Sequence, residues 1–183
     1  MDAARVALDL ARSRPPTLGQ GRLMCIDGPA GSGKTTLADE VAELAGDARV
    51  VHRVLHMDDL YDGWDGLPHL TDQHDSLLRP LAAGGAGSYR RYDWVAGRFA
   101  ETVEVQPVDL LILEGVGSWS SAHADLATVL AWVEAPHELR MRRGIERDGE
   151  AFAPHWERWA AGEERHFARH GTRERADLVL DTG

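Results

Sequence analysis

The sequence predicts an α/β domain of three layers with a mostly parallel central sheet. Three observations carry that expectation: short apolar runs alternate with stretches of helical spacing, one such run passes through a glycine-rich turn straight into a helix, and 183 residues with 43% hydrophobic content suit a single domain. A strand buried on both faces reads as a continuous apolar run, which is how 108–113 and 128–133 read.

Taken in order, residues 1–20 form an N-terminal helix and linker, and Arg22 to Asp27 is the first strand. Thr35 to Leu44 has helical spacing with acids on its outer face. Arg49 to Met57 is a second strand, broken by Asp58 and Asp59, and Tyr61 to Pro68 is loop. Thr71 to Ala83 is a helix with Thr71 or Asp72 as its cap, followed by a turn over Gly84 to Ser88. Tyr89 to Trp94 and Thr102 to Val105, rich in aromatic and β-branched residues, pair as a small hairpin. After the two buried strands come helices over His137 to Arg147 and Trp156 to His170, and a last strand over Ala176 to Leu180. Residues 58–105 form the acceptor-binding region, and 137–170 a lid with its following helix.

Composition excludes several functions. With 20 Lys+Arg against 30 Asp+Glu the formal net charge is -10, which disfavours a nucleic-acid groove. An anionic ligand must then be held by a local cationic site inside a negative field. Cys25 is the single cysteine, so no intrachain disulfide forms and a reducing, cytoplasmic setting is expected. No apolar run approaches the roughly 18 residues of a membrane span. The nine histidines are scattered without a paired ligand spacing, and no zinc site is expected. Asn is absent, which removes the Asn-Lys-x-Asp element that reads guanine in many switch proteins. There is one lysine, Lys34, against 19 arginines.

That lysine closes the segment Gly28-Pro29-Ala30-Gly31-Ser32-Gly33-Lys34-Thr35, which has the spacing GxxxxGK followed by Ser or Thr between a strand and a helix. Glycines let backbone N–H groups turn inward around phosphate oxygens, and the following helix presents its positive end to the same anion. The segment through Thr36 is therefore expected to bind the phosphates of a nucleoside triphosphate, with Lys34 on the β- and γ-phosphates and the Thr35 hydroxyl on magnesium. The fold is then a three-layer P-loop NTPase with an arginine-bearing helical lid. A forked guanidinium would not fit where the loop needs a slim point charge.

Glu114 ends the strand 108–113, where an open α/β sheet gathers its ligand groups, and can hold a magnesium-bound water. Asp58, at the end of the second strand, is the candidate base that orients an attacking hydroxyl, although adjacent acids also favour a turn. Arg140, Arg143 and Arg147 share one helix face at i, i+3 and i+7; they either close over a transferring phosphoryl group or form a solvated face. Trp64, Tyr92 and Trp94 suggest a partly exposed aromatic pocket, whereas Trp156 and Trp159 read as packing.

At these residues the chain resembles the uridine kinase and phosphoribulokinase group of P-loop small-molecule kinases. The similarity runs from about Leu23 to Asp181. It takes in the phosphate loop, Met57-Asp58-Asp59-Leu60-Tyr61, Tyr92-Asp93-Trp94, Glu101-Thr102-Val103-Glu104-Val105, the run Pro107 to Gly115 and Ala176-Asp177-Leu178-Val179-Leu180. The resemblance implies a kinase that uses ATP and magnesium, with Asp58 as base for a sugar hydroxyl, Tyr61 and Tyr92 at a nucleoside pocket with Trp94 and Arg98 beside them, and Arg140, Arg143 and Arg147 near the phosphates. The family's histidine after its Tyr-Asp-Phe segment is replaced by Val95-Ala96-Gly97-Arg98, and 62–70 differs from the family's substrate loop. A small-molecule acceptor, no nucleic acid or membrane partner, and compatibility with a homo-oligomer complete the expectation. A monophosphate kinase would need cations in the acceptor pocket, for which Arg53, Arg79, Arg90, Arg91 and Arg98 are available; a switch or ATPase would have no acceptor.

Overall fold

The computed structural model describes residues 2–149 and 153–183. Helix α1 (Ala3–Ser13) is capped by Asp2, whose carboxylate accepts from the N–H groups of Ala4 and Arg5. It leads into β1 (Arg22–Asp27), the phosphate-loop segment, and α2 (Lys34–Asp47). Then follow β2 (His52–His56), α3 (Thr71–Ala82), β3 (Gly87–Asp93), β4 (Arg98–Val105), β5 (Leu110–Glu114), β6 (Val129–Glu134), α4 (His137–Asp148), α5 (Trp156–His170) and β7 (Leu178–Asp181).

Five strands form one sheet in the order β2-β5-β1-β6-β7, every neighbouring pair parallel. The chain runs from β1 outward to β2 on one side and later to β6 and β7 on the other, which opens a crevice at the carboxyl end of β1. Alternation within the strands feeds two cores. Met24, Ile26, Leu110, Ile112, Val129, Ala131 and Val133 face α1 and α2. Leu23, Cys25, Leu111, Leu113 and Leu130 face the layer that carries α3 and Trp159. β1, β5 and β6 are thus buried on both sides, as their continuous apolar runs required, while the edge strands β2 and β7 are partly exposed.

β3 and β4 form the expected hairpin as a separate antiparallel pair, with Asp93 accepting from the N–H groups of Val95 and Ala96 in the turn. Several boundaries differ from the sequence reading: β3 starts at Gly87, inside the expected turn Gly84 to Ser88, β4 starts at Arg98 and not Thr102, and the last strand is shifted to Leu178–Asp181. The second strand begins at His52, because Arg49 sits at φ 58° in a turn, and Met57 already opens a 3-10 turn. Helix α3 takes its N-cap at Leu70 with no side-chain bond, so neither Thr71 nor Asp72 caps it. Among the described residues no helix is long and apolar enough to cross a membrane.

Candidate active site

The phosphate loop follows β1 at the crevice. Gly28, Gly31 and Gly33 take φ of 137°, 76° and 97°, a region that side chains with a Cβ rarely enter. Gly28 also passes so close to β6 that a Cβ would lie 2.1 Å from the Val133 carbonyl oxygen. At Gly31 a Cβ would lie 2.3 Å from the carbonyl of Arg140, so α4 rests directly on the loop. α2 starts at Gly33 without a side-chain cap, leaving its first N–H groups for an anion.

Lys34 is 7% exposed, and its ammonium donates to the Pro29 carbonyl at 2.9 Å. Burial lowers its pKa, while the nearby carboxylates of Glu163, Glu114, Asp27 and Asp58 pull it back up. Thr35 directs its hydroxyl to both oxygens of Glu114, at 3.3 and 3.4 Å. Glu114, the last residue of β5, is 5% exposed and also receives Nδ1 of His56 at 2.5 Å. Parallel pairing of β2 with β5 sets His56 opposite Glu114, and that bond raises the imidazole pKa. His56 was missed in the sequence, where nothing gives the register of two strands so far apart.

Asp27 is the other residue that sequence reasoning passed over. Fully buried, it accepts from the N–H groups of Gly28 at 2.8 Å, Gly117 at 3.0 Å and Trp119 at 3.0 Å, tying the start of the phosphate loop to the segment after β5. Burial pushes its pKa up to about 7 against those bonds and the charge of Lys34.

Lys34, Thr35 and Glu114 line a cavity of ≈ 470 Å³; Asp27 and His56 do not. Lys34, Thr35, Thr36, Glu114 and Arg143 share this lining with Asp58, Asp59, Tyr61, Trp64, Trp94 and Trp159. Asp58 belongs to the 3-10 turn after β2, and its carbonyl accepts from the Trp94 indole at 2.9 Å. Trp64 meets Trp94 and Trp159 edge-on, at 5.1 and 6.1 Å between ring centroids, so three indoles form one wall. Trp159 therefore serves both the core and the cavity, more than the packing role read from its spacing. Tyr61 lines the cavity with its ring, but its hydroxyl is bonded to the Val116 carbonyl at 2.7 Å.

Other expected site residues lie elsewhere. Tyr92 is buried behind the wall, between Trp94 and Phe99, and Arg98 is exposed on β4 opposite Asp93; neither lines the cavity. Arg140 turns away from the cavity and donates to the carbonyls of Ala135 and Ala30, bracing the loop from behind. Arg143 does line the cavity, while bonded to the Thr182 hydroxyl and carbonyl; that hydroxyl in turn donates to the Ser32 carbonyl. The Arg147 side chain lies outside the described residues. Of the arginines proposed for an acceptor phosphate, Arg91 pairs with Glu101, Arg79 with Asp125, Arg53 with the Glu104 carbonyl, and Arg90 stacks on Phe99. Among the described lining residues the only cations are Lys34 and Arg143.

The donor set fits magnesium. A hydroxyl and a carboxylate are hard oxygen ligands, and this ion takes few protein ligands because it keeps water and substrate phosphates. No cluster of three or more metal-ligating side chains occurs among the described residues, so those residues do not cage an ion by themselves.

No family model matches the chain. It is 32% identical over 147 residues to the uridine kinase of Mycoplasma pneumoniae, covering 72% of this chain and 68% of that protein. The uridine kinase of Mycoplasma genitalium is 30% identical over 145 residues, covering 70% and 68%. Among solved structures, a possible uridine kinase from Bacillus stearothermophilus superimposes with a TM-score of 0.65 at 23% identity, covering 97% of this chain and 98% of that one, which shows a shared fold.

Proposed function

Because the chain belongs to the uridine kinase family, we propose that it transfers the γ-phosphoryl group of ATP, with magnesium, to a hydroxyl of a nucleoside. The observation that carries this reading is that one cavity is lined by Lys34, Thr35 and Glu114 together with Asp58 and the indole wall. The phosphate loop and Lys34 hold the triphosphate; Thr35 and Glu114 hold the metal, whose contribution is to neutralise charge on the transferring group. His56 orients Glu114 through the bond at 2.5 Å. Asp58 orients the acceptor hydroxyl and takes its proton late in the transfer. Arg143 adds positive charge beside the phosphate loop, and Trp94, the exposed indole of the wall, offers an aromatic surface for a base. That the described lining holds no cation besides Lys34 of the phosphate loop and Arg143 favours a neutral acceptor over a monophosphate. A cytoplasmic setting suits the buried thiol of Cys25.

The test is a panel of nucleosides, nucleoside monophosphates and sugars incubated with magnesium-ATP and read by product mass. A phosphorylated nucleoside is expected, lost in Lys34→Ala and reduced at least about 100-fold in Asp58→Asn. Phosphorylation of monophosphates alone, or steady ATP hydrolysis indifferent to every acceptor, would overturn the assignment.

A further inference from the structure

Glu163 belongs to no motif, yet it sits against the phosphate loop with its residue 2% exposed. Its Oε1 accepts from the Ala30 backbone N–H at 2.7 Å and from the Trp159 indole N–H at 2.7 Å. Its Oε2 lies 3.9 Å from the Arg140 guanidinium. Of the acids that act on the Lys34 ammonium, Glu163 acts most strongly, ahead of Glu114, Asp27 and Asp58. The carboxylate, steadied within α5 by Trp159 one turn earlier, thus joins that helix to the loop and to Arg140 of α4.

A buried carboxylate is costly unless it is both paired and hydrogen-bonded, and an apolar side chain would have packed α5 at less cost. We infer that Glu163 is the resident counter-anion of the phosphate loop, a positioning residue that holds Ala30 in place and sets its negative charge against the donor's terminal phosphates. The inference rests on the kinase reading and extends it to how tightly the donor is held.

The direction of the effect follows from charge. The Ala30 N–H that Glu163 accepts belongs to the phosphate loop, so a bound triphosphate brings negative charge toward a carboxylate already held by the loop and by the Trp159 indole. Arg140 offsets part of that repulsion from the far side, but its own donors are bonded to two carbonyls. Burial raises the Glu163 pKa, and Lys34, the Ala30 N–H, Arg140 and Trp159 offset part of that rise. Glu163→Gln retains an oxygen able to accept both N–H bonds and removes the charge. It separates anchoring from repulsion.

Calorimetric titration of magnesium-ATP and magnesium-ADP into the full chain tests this. Glu163→Gln is expected to bind magnesium-ATP about tenfold tighter than the wild type, with a smaller gain for magnesium-ADP, which lacks the terminal phosphate. Glu163→Asp keeps the charge and is expected to show no gain. If the amide variant is too unstable for calorimetry, the rise in melting temperature at saturating magnesium-ATP gives the same comparison, being larger for the variant than for the wild type. Binding by Glu163→Gln equal to or weaker than wild type, or a gain shared by Glu163→Asp, overturns the inference while the proposed function stands. A wild-type chain that binds neither nucleotide overturns both.

Discussion

Replacing Asp27 by Asn tests the reasoning about the buried end of β1. Its carboxylate is fully buried, and burial raises its pKa from 3.8 to about 7. An acid whose folded pKa is raised is stabilising when protonated: its contribution is complete below pH 3.8 and is lost as pH rises through 7. Between those limits the folded protein keeps a proton that the unfolded chain has released, so stability falls by about 1.4 kcal/mol per pH unit on account of this group. From about pH 5 to about pH 7 that amounts to roughly 2 kcal/mol, with a plateau above. An amide does not titrate. It also keeps only one acceptor oxygen for three N–H donors: if that oxygen serves Gly28 and Gly117, the amide nitrogen faces the Trp119 N–H, at a constant cost of about 1–3 kcal/mol. Urea unfolding of both proteins at pH 5, 6, 7 and 8 separates the two effects, because every other titrating group cancels in the difference. The gap between the Asp27→Asn variant and wild type should move by about 2 kcal/mol in favour of the variant between pH 5 and 7 and stay flat beyond. Parallel curves over the whole range would refute the buried, proton-binding Asp27.

Gly31→Ala puts a Cβ at φ 76° and 2.3 Å from the Arg140 carbonyl, so α4 must move; a loss of about 2–4 kcal/mol in unfolding free energy is expected. A fully stable Ala variant would show that α4 does not rest on the loop. His56→Ala removes the bond that orients Glu114 and should raise the magnesium concentration for half-maximal activity about tenfold, with little change in melting temperature because His56 is exposed. An unchanged magnesium titration would count against the metal role of Glu114. His74 and His166, whose pKa values burial lowers to about 3 and about 4, should remain neutral in NMR titrations down to pH 5. Each favours folding above the ordinary 6.5 and withdraws about 2 kcal/mol as pH falls to 5; titration near 6.5 would show that these rings are solvated.

The layered α/β architecture and the phosphate loop are legible in the chain alone, because both rest on local physics. Positive-φ turns need glycine within a few residues, strands buried on two faces need unbroken apolar runs, and a helix such as α5 declares its periodicity over its own length. Thus β1 and α5 are observed with the bounds their residues imply. Asp58, Glu114 and Lys34 were legible for the same reason, standing at strand ends or inside a fixed spacing. Which side chains meet them is settled only in the folded chain. His56 reaches Glu114 through a strand register, Glu163 reaches Ala30 from 133 residues away, and Arg140 turns behind the loop where its spacing with Arg143 implied a common face over the phosphates. Such contacts depend on how separate elements pack, and packing between distant segments leaves no periodic trace along the chain.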